Sequence, residues 1–426
     1  MSPTFRSLRI ANYRRYYAGG LVSNTGTWMQ RVAQDWLVLQ LSGGSGVALG
    51  ITTGLQFLPM LLIGPWAGVL ADRLPKRQLL IATQAFMGVA ALALGLLDVT
   101  DVVAVWHVYV LAALLGIGTA VDNPARQSFV IEMVGPEDLP NAVGLNSASF
   151  NMGRVLGPAA AGLLIEVFDT GPVFLINAVS FLAVIGALLS MDPSQLEPAP
   201  RLERAKGQLR EGVRYVLNRP DLLTVMVLVF FVGTFGLNFQ MTTALMASEV
   251  FDRGAGEFGI LGSVMAIGSL TGALLAARRG KPRLRLLLLA AFGFGVVEVV
   301  SGLMPTYVSF ALILVPVGML ALTFITGANS IMQLGVDPLM RGRVMALYTA
   351  VFFGGAPLGA PLVGAVAEAF GARWALIAGG LISAVAAVLA AVVLARTTGL
   401  RLRTELQDLP RPFAGMPTGV RSGDIP

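Results

Sequence analysis

Two charged residues, Arg31 and Asp35, lie within a segment that is otherwise apolar enough to cross a membrane. The segment 16–41 exceeds the roughly 20 residues that a helix needs to span the hydrocarbon core. Charged side chains inside such a segment are costly, and they normally face a water-filled cavity or a partner. A carboxylate there can exchange a proton, and a guanidinium one turn away can pair with it. The pattern therefore indicates transport chemistry or a structural ion pair.

Three further side chains share the helix face of Arg31 and Asp35. A helix face repeats every three or four positions, which adds Asn24, Thr27 and Trp28 to it, while the opposite face is apolar. We expect this face to line a cavity, with Asp35 as the group that exchanges its proton for a cationic or polar substrate. The alternative is a permanent Arg31–Asp35 pair that only holds the helix in register.

A second candidate face lies in the segment 221–249. Phe231, Phe235 and Asn238 recur there at helical spacing. An aromatic face with one amide suits bulky lipophilic ligands, and aromatic packing in the protein core explains the same pattern equally well. We treat these three residues as candidate lining of the substrate cavity.

Two isolated charged residues are expected to have other roles. Arg154 is predicted to bind a neighbouring carboxylate or carbonyl group rather than substrate. Glu298 lies near the outer end of the ninth apolar segment, and it is predicted to sit at the membrane interface.

The composition excludes several classes of protein. The chain is 55% hydrophobic and 13% charged, against about 25% charged residues in soluble domains. It has no Cys and one His, which argues against disulfides, thiolate or histidine metal sites and histidine triads. No GxxxxGK[ST] loop is present, so ATP is not the direct energy source. We expect no cofactor, and the net charge of +6 lies in loops rather than in a nucleic-acid-binding patch.

Twelve segments are long and apolar enough to cross a membrane as helices. They are 16–41, 46–71, 78–97, 104–123, 140–165, 172–190, 221–249, 256–277, 284–303, 307–331, 342–367 and 373–395. Loops on the N-terminal side carry the basic clusters 73–77 and 278–285, whereas the opposite loops carry only Arg253 and Arg373. Because short cytoplasmic loops are enriched in Lys and Arg, both termini are predicted to be cytoplasmic.

The two halves of the chain are related in sequence. At an offset of 202 residues, Gly162 and Glu166 match Gly364 and Glu368, and "GTWMQ" in the first segment has a weaker echo, "GLNFQ", in the seventh. Parallel repeats of this kind occur in secondary transporters. The predicted organisation is a cytoplasmic segment 1–15, a six-helix bundle 16–190, a linker 191–220 with an amphipathic helix, a six-helix bundle 221–395 and a disordered tail 396–426.

The chain resembles the major facilitator superfamily, whose fold is all-α with twelve transmembrane helices in two pseudo-symmetric bundles. The loop "GVLADRLPKRQLL" is similar to the superfamily's loop motif, with Pro75 where a Gly is usual. The matching residues are Gly68, Asp72, Arg73, Lys76 and Arg77. Together with Asp122 and Arg126 at helix ends, the resemblance implies a charge network that holds one conformation of the transporter.

The fifth segment resembles the drug–proton antiporter branch. The matching residues of its motif are Gly144, Gly153, Gly157, Pro158 and Gly162, with Arg154 inside it and Ala161 in place of a further Gly. Glycine lets helices approach closely, and proline bends the helix. "SNTGTWMQRVA", "DNPARQSFV" and "RGRVMALY" resemble the bacterial exporters of siderophores and macrolides. The arginine usual in span four is absent, since Ala112 occupies its place.

The leading hypothesis is a proton-coupled exporter of small lipophilic or amphipathic compounds in the bacterial cytoplasmic membrane. Its expected partners are a small-molecule substrate, protons and the lipid bilayer, without nucleic acid, and the expected working unit is a monomer. A facilitator or importer of a metabolite or lysolipid is the alternative. A membrane-embedded enzyme is disfavoured, because no segment holds paired aspartates of the Asp-x-x-Asp kind and the chain has a single His.

Overall fold

The computed structural model describes residues 3–197, 208–278 and 283–398, which form helices and no strand. Most of the predicted tail and residues 198–207 of the linker lie outside these ranges. The α-helices are α1 (Ala11–Ser42), α2 (Gly46–Arg73), α3 (Lys76–Val99), α4 (Val105–Phe168), α5 (Gly171–Leu189), α6 (Gln208–Leu217), α7 (Pro220–Phe231), α8 (Phe239–Leu245), α9 (Ala255–Arg278), α10 (Leu284–Gly302), α11 (Tyr307–Leu334), α12 (Pro338–Phe370) and α13 (Ala372–Thr398). Short 3-10 helices occupy Pro3–Arg9 and Pro193–Gln195.

Twelve membrane crossings follow from the helix lengths. Ten helical stretches in the described ranges are long and apolar enough to cross a membrane, one of them being α4 with 64 residues. This helix turns at Gly135, whose φ of 69° and ψ of 175° only glycine adopts easily, so it holds two crossings, a first arm (105–134) and a second arm (136–168). α1 is less apolar, yet its 32 residues extend about 48 Å, more than a bilayer core requires.

The turn between α1 and α2 shows how local sequence sets the helix boundaries. α1 ends at Gly43 and Gly44, whose φ angles of 65° and 88° lie in the left-handed region that glycine enters without strain. α2 then begins after Ser45, whose side chain accepts a hydrogen bond from the Ala48 N–H at 3.1 Å. The two helices therefore reverse direction within three residues.

The start of α1 and the end of α13 define one face of the bundle, which we call the terminal face; the opposite one is the distal face. At the terminal face the Ser7 N–H donates to Asn141 Oδ1 at 3.0 Å, which joins the N-terminal 3-10 helix to the second arm of α4. Lys76 at the start of α3 pairs with Glu132 on the first arm at 2.5 Å. These contacts hold the terminal ends of the first half together.

The two halves meet closely at the distal face through small residues. A Cβ at Gly50 of α2 would lie 2.4 Å from the carbonyl oxygen of Ala360 on α12. A Cβ at Gly259 of α9 would lie 2.2 Å from the carbonyl oxygen of Pro158 on α4. Glycine thus lets α2 contact α12, and α4 contact α9, backbone to backbone. The distal face is closed by these contacts.

The repeated glutamates of the two halves take equivalent places in this closure. Glu368, at the end of α12, accepts hydrogen bonds from Ser45 Oγ at 2.6 Å and from the Val47 N–H at 3.1 Å, at the start of α2. Glu166, at the end of α4, lies at the start of α9, where its Oε1 is 2.5 Å from the Cβ position of Gly256. Each carboxylate therefore lies at a helix N-terminus of the other half, where negative charge is favourable.

The amphipathic helix predicted in the linker is α6. Val216 on its apolar side is buried, with 3% exposed, and Glu211 pairs with Arg343 near the start of α12. Gly212 also packs against Arg343: a Cβ placed on Gly212 would lie 3.2 Å from the Cβ of Arg343. Through these contacts α6 packs on the second half of the protein.

Gly50→Val is expected to disfavour the state with a closed distal face. Its side chain would enter a space where even a Cβ lies 2.4 Å from a carbonyl oxygen. Such overpacking costs about 1–3 kcal/mol. This cost would lower the population of the closed state, relative to the state with an open distal face, by roughly 5- to 150-fold. Because the chain has no Cys, closure is measured cleanly as the cross-linking yield of a Ser45→Cys, Glu368→Cys pair with a short bis-maleimide, and we expect this yield to fall.

Gly64→Val on the same helix is the matched control, because a Cβ at Gly64 meets no atom of the described residues within 4 Å. It should leave the cross-linking yield unchanged. Equal yields in the Gly50→Val and Gly64→Val backgrounds would contradict the assignment of the α2–α12 contact as a closure.

Candidate functional site

A cavity of about 580 Å³ lies between the two halves and is lined by α1 to α5 on one side and by α8 with the residues just before it, α9, α11 and α12 on the other. Asp35 and Gln240 lie towards its distal end, whereas Gln84 and Arg126 line it in the terminal third of the bundle. The backbone contacts between α2 and α12 and between α4 and α9 close it off distally. The cavity therefore extends towards the terminal face.

The polar face predicted on α1 lines this cavity. Asn24, Thr27, Trp28, Arg31 and Asp35 all contribute to its wall. Asn24 Nδ2 also donates to the Ser149 hydroxyl of α4 at 3.0 Å, which links two lining helices. α1 therefore keeps the 3.6-residue period, and the side chains that this period places on one helix face all line the cavity.

Asp35 does not form the direct ion pair that the one-turn spacing to Arg31 suggests. Among the ion pairs of the described residues, none joins these two side chains. Asp35 is 5% exposed, and the side chain that approaches it is Gln240 of α8, in the other half. The described residues offer the buried Arg31 Nε no hydrogen-bond partner. The carboxylate thus faces across the interface between the halves.

Arg31 and Arg154 converge on a single indole ring. The guanidinium carbon of Arg31 lies 4.7 Å from the centroid of the Trp28 ring, and that of Arg154 lies 5.7 Å from it, both within cation–π range. Phe150 packs edge-to-face on the same ring at 5.6 Å. The expected carboxylate or carbonyl partner of Arg154 is not found among the described residues, and the side chain lines the cavity instead.

The charge network predicted at the helix ends is divided into two parts. Asp122 and Arg126 pair at 2.8 Å within the first arm of α4 and line the cavity, and Asp122 also accepts hydrogen bonds from Thr83 and Gln84. Glu132, the partner of Lys76, lies ten residues further along this arm, or about 15 Å away along the axis. Asp122 and Arg126 are therefore part of the cavity wall rather than of the loop.

Two basic residues of the loop motif contact helices of their own half. Gly68, Asp72 and Arg73 belong to the last turns of α2. Arg77 Nε donates to the Leu188 carbonyl at the end of α5 at 2.7 Å, and Lys76 pairs with Glu132. Lys76 and Arg77 thus anchor the start of α3 to α4 and α5.

The glycines of the span-five motif place α4 between two helices. Gly153 and Gly157 approach α1, and a Cβ at Gly157 would lie 2.6 Å from the Cβ of Trp28. Pro158 and Gly162 contact α9 at Gly259 and Gly256. For Gly144 the situation differs, because a Cβ there meets no described atom within 4 Å. Four of the motif positions therefore serve close packing.

The prediction that Phe231 and Phe235 line the cavity is wrong. Both rings stack on each other, with centroids 6.5 Å apart, and neither contributes to the wall, which includes Gly233, Leu237 and Asn238 instead. The cause is a π-helix at Val232–Gly236, followed by a break at Leu237 before α8 begins. One extra residue per turn rotates the helix face, so the 3.6-residue period assumed for this segment fails.

Glu298 is also misplaced by the sequence interpretation. It is 2% exposed rather than interfacial. It lies inside the second half beside Gly236 and Gly379, where each Cβ position is 3.2 Å from one of its carboxylate oxygens. The glycines of neighbouring helices make room for it, which its position near the end of α10 does not reveal.

Gln240 is one of the cavity residues that the sequence analysis overlooked. It approaches Asp35 and corresponds to Gln30 in the repeated "GTWMQ" and "GLNFQ" stretches. Gln30 in turn contacts Asn177 of α5 by a side-chain hydrogen bond. An amide inside an apolar segment, at matching places in both halves, was the available signal.

Comparison with known proteins gives the family. The family model described as transmembrane secretion effector matches residues 2–424. Macrolide efflux protein A of Streptococcus pyogenes is 26% identical over 362 residues, covering 81% of this chain and 87% of the relative. Multidrug efflux pump Tap of Mycolicibacterium fortuitum is 28% identical over 365 residues, covering 82% and 88%.

A solved structure gives the fold. The inward-facing, unoccupied structure of a bacterial homologue of the human lysosomal transporter Spinster superposes with a TM-score of 0.69 at 16% identity, covering 92% of this chain and 97% of that one. With a family model that spans nearly the whole sequence and twelve membrane crossings among the described residues, the chain belongs to the transmembrane secretion effectors of the major facilitator superfamily, and it is a multi-pass membrane transporter.

Proposed function

We propose that this protein exports small lipophilic or amphipathic compounds by alternating access, in exchange for protons. The observation that carries the proposal is the cavity between the halves, which is closed at one face and has a mixed wall. Phe, Met and Trp side chains supply apolar surface, and a buried carboxylate that faces both halves supplies a proton site. Such a wall suits a bulky apolar ligand with a polar group.

The basic loops support an orientation with both termini in the cytoplasm, in a bacterial inner membrane. The positive-inside rule assigns the terminal face, which carries Lys76, Arg77, Arg341 and Arg343, to the cytoplasm. The cavity then opens to the cytoplasm, so that this conformation is the one that loads substrate for export.

Asp35 is the proposed coupling group because its surroundings change when the halves move. Gln240 from α8 approaches it, and one residue further on Trp36 stacks on Phe258 of α9 with ring centroids 6.1 Å apart. Opening the distal face separates these contacts and exposes the carboxylate to the outside. The proton on Asp35 would thus equilibrate with one side of the membrane at a time, which proton exchange requires.

The names of the relatives support export rather than import. Both relatives above are described as efflux proteins, and the proposed substrates are accordingly drugs, antibiotics and siderophore-like compounds. We further propose that the working unit is a monomer without a cofactor, driven by the proton gradient, and that the protein is not an enzyme. An importer would share the same cavity and differ in the direction of coupled movement.

Asp35→Asn is expected to abolish the response of transport to a proton gradient, because an amide cannot exchange the proton. In proteoliposomes with an imposed pH gradient, wild type should move lipophilic fluorescent compounds, tested as neutral, cationic and acidic members, against their gradients. The mutant should show at most the gradient-independent rate.

Asp101→Asn, at an exposed turn of the distal face, is the control and should transport as wild type. Identical pH dependence of wild type and Asp35→Asn would remove Asp35 from the mechanism. Gradient-driven uptake in the opposite sense would replace export by import.

Labelling of single cysteines tests the orientation. Val102→Cys on the distal face and Ser194→Cys on the terminal face are both exposed positions, and the chain has no other Cys. A membrane-impermeant maleimide added to intact cells, after permeabilisation of any outer membrane, should label Val102→Cys and spare Ser194→Cys until the inner membrane is disrupted. The reverse pattern would invert the proposed orientation.

A further inference from the structure

The cavity holds two arginines that have no counter-ion in contact within the part of the chain that the structure describes. Neither Arg31 nor Arg154 forms an ion pair or a conventional hydrogen bond with a described residue, and the Arg31 Nε is buried without a partner. Both guanidinium groups contact the ring of Trp28, and they are close enough to repel each other. Two such cations in a site of low polarity are unfavourable unless an anion neutralises them.

A third arginine in the same cavity shows the contrast. Arg126 pairs with Asp122 through both Nε and a terminal nitrogen at 2.8 Å, and Asp122 is further held by Thr83 and Gln84. Among the described residues, the lining therefore has three guanidinium groups and two carboxylates. With Asp122 committed to Arg126, Asp35 is the one lining carboxylate of these residues that remains for the two guanidiniums at Trp28. One positive charge is left in excess.

Packing holds these two cations together, so their proximity is built into the fold. Gly153 and Gly157 bring α4 against α1 at Trp28, and a larger residue at Gly157 would collide with the Cβ of Trp28. Arg31 on α1 and Arg154 on α4 therefore both lie against the indole ring of Trp28. A guanidinium group binds a carboxylate through two parallel hydrogen bonds, and it does so best where water is excluded.

We propose that the substrate is an amphipathic acid, whose carboxylate or similar planar oxyanion binds between Arg31 and Arg154 while its apolar or aromatic body contacts Trp28 and Phe150. The assignment deepens the proposed export function and rests on it. One acidic group on the substrate and the ionised Asp35 together balance the two cations.

Binding of a matched pair of probes tests the assignment without transport. In lipid nanodiscs, 2-naphthoate and the neutral 2-naphthamide, which share the naphthyl body and differ in the carboxylate or carboxamide group, are titrated by isothermal calorimetry. Wild type should prefer the acid. Arg31→Gln and Arg154→Gln should each weaken naphthoate binding about tenfold to a hundredfold, the range for a lost hydrogen bond to a charged group, while naphthamide affinity changes little. Arg154→Lys should recover part of the loss, because it keeps the charge.

Naphthamide affinity also shows that each variant is folded. Arg253→Gln removes a cation that pairs with Glu257 at the distal surface, outside the cavity, and should bind both probes as wild type. Equal affinity of wild type for acid and amide, unchanged naphthoate binding in both glutamine variants, or no binding of either probe would overturn the assignment. A lost pH response of transport with an intact preference for the acid would instead refute only the proton coupling.

Discussion

The contact between α1 and the second arm of α4 is made through backbone and Cβ atoms, because Gly153 and Gly157 have no side chains to keep the helices apart. The close approach sets Trp28 against Phe150 and brings the two arginines to one ring. Because the hydrophobic effect contributes little to helix association within lipid, close packing of this kind supplies much of the stabilisation between the two helices. The cavity wall depends on it.

The same device closes the distal face. α2 meets α12 at Gly50 and α4 meets α9 at Gly259, with carbonyl oxygens of the other half where a Cβ would be. These backbone contacts require one relative position of the two halves, and a movement of one half against the other would break them together. Glu166 and Glu368 add an electrostatic contact at the rim of each pair, at a helix N-terminus of the opposite half. The distal face is therefore closed by two equivalent sets of contacts, and their glutamates are the ones that match in the sequence repeat.

Polar groups inside the bundle are treated in two ways. Asp122 and Arg126 are paired and hydrogen-bonded within the first half, which is the usual solution for charges in a membrane interior. Arg31, Asp35 and Arg154 are left to face the cavity and the other half. These three side chains lie where a ligand, a proton or a movement of the halves can act on them.

The twelve crossings, the family and the lining face of α1 could be predicted from the amino-acid sequence, because hydropathy and the 3.6-residue period act locally along one helix. Tertiary structure alone decided the rest. A π-helix turned Phe231 and Phe235 away from the cavity, glycines on other helices buried Glu298, and Gln240 rather than Arg31 became the hydrogen-bonding neighbour of Asp35. Each of these outcomes depends on which helix packs against the segment and on where along the membrane normal the two helices meet. The hydrophobic period of one segment contains no information about the helix that packs against it.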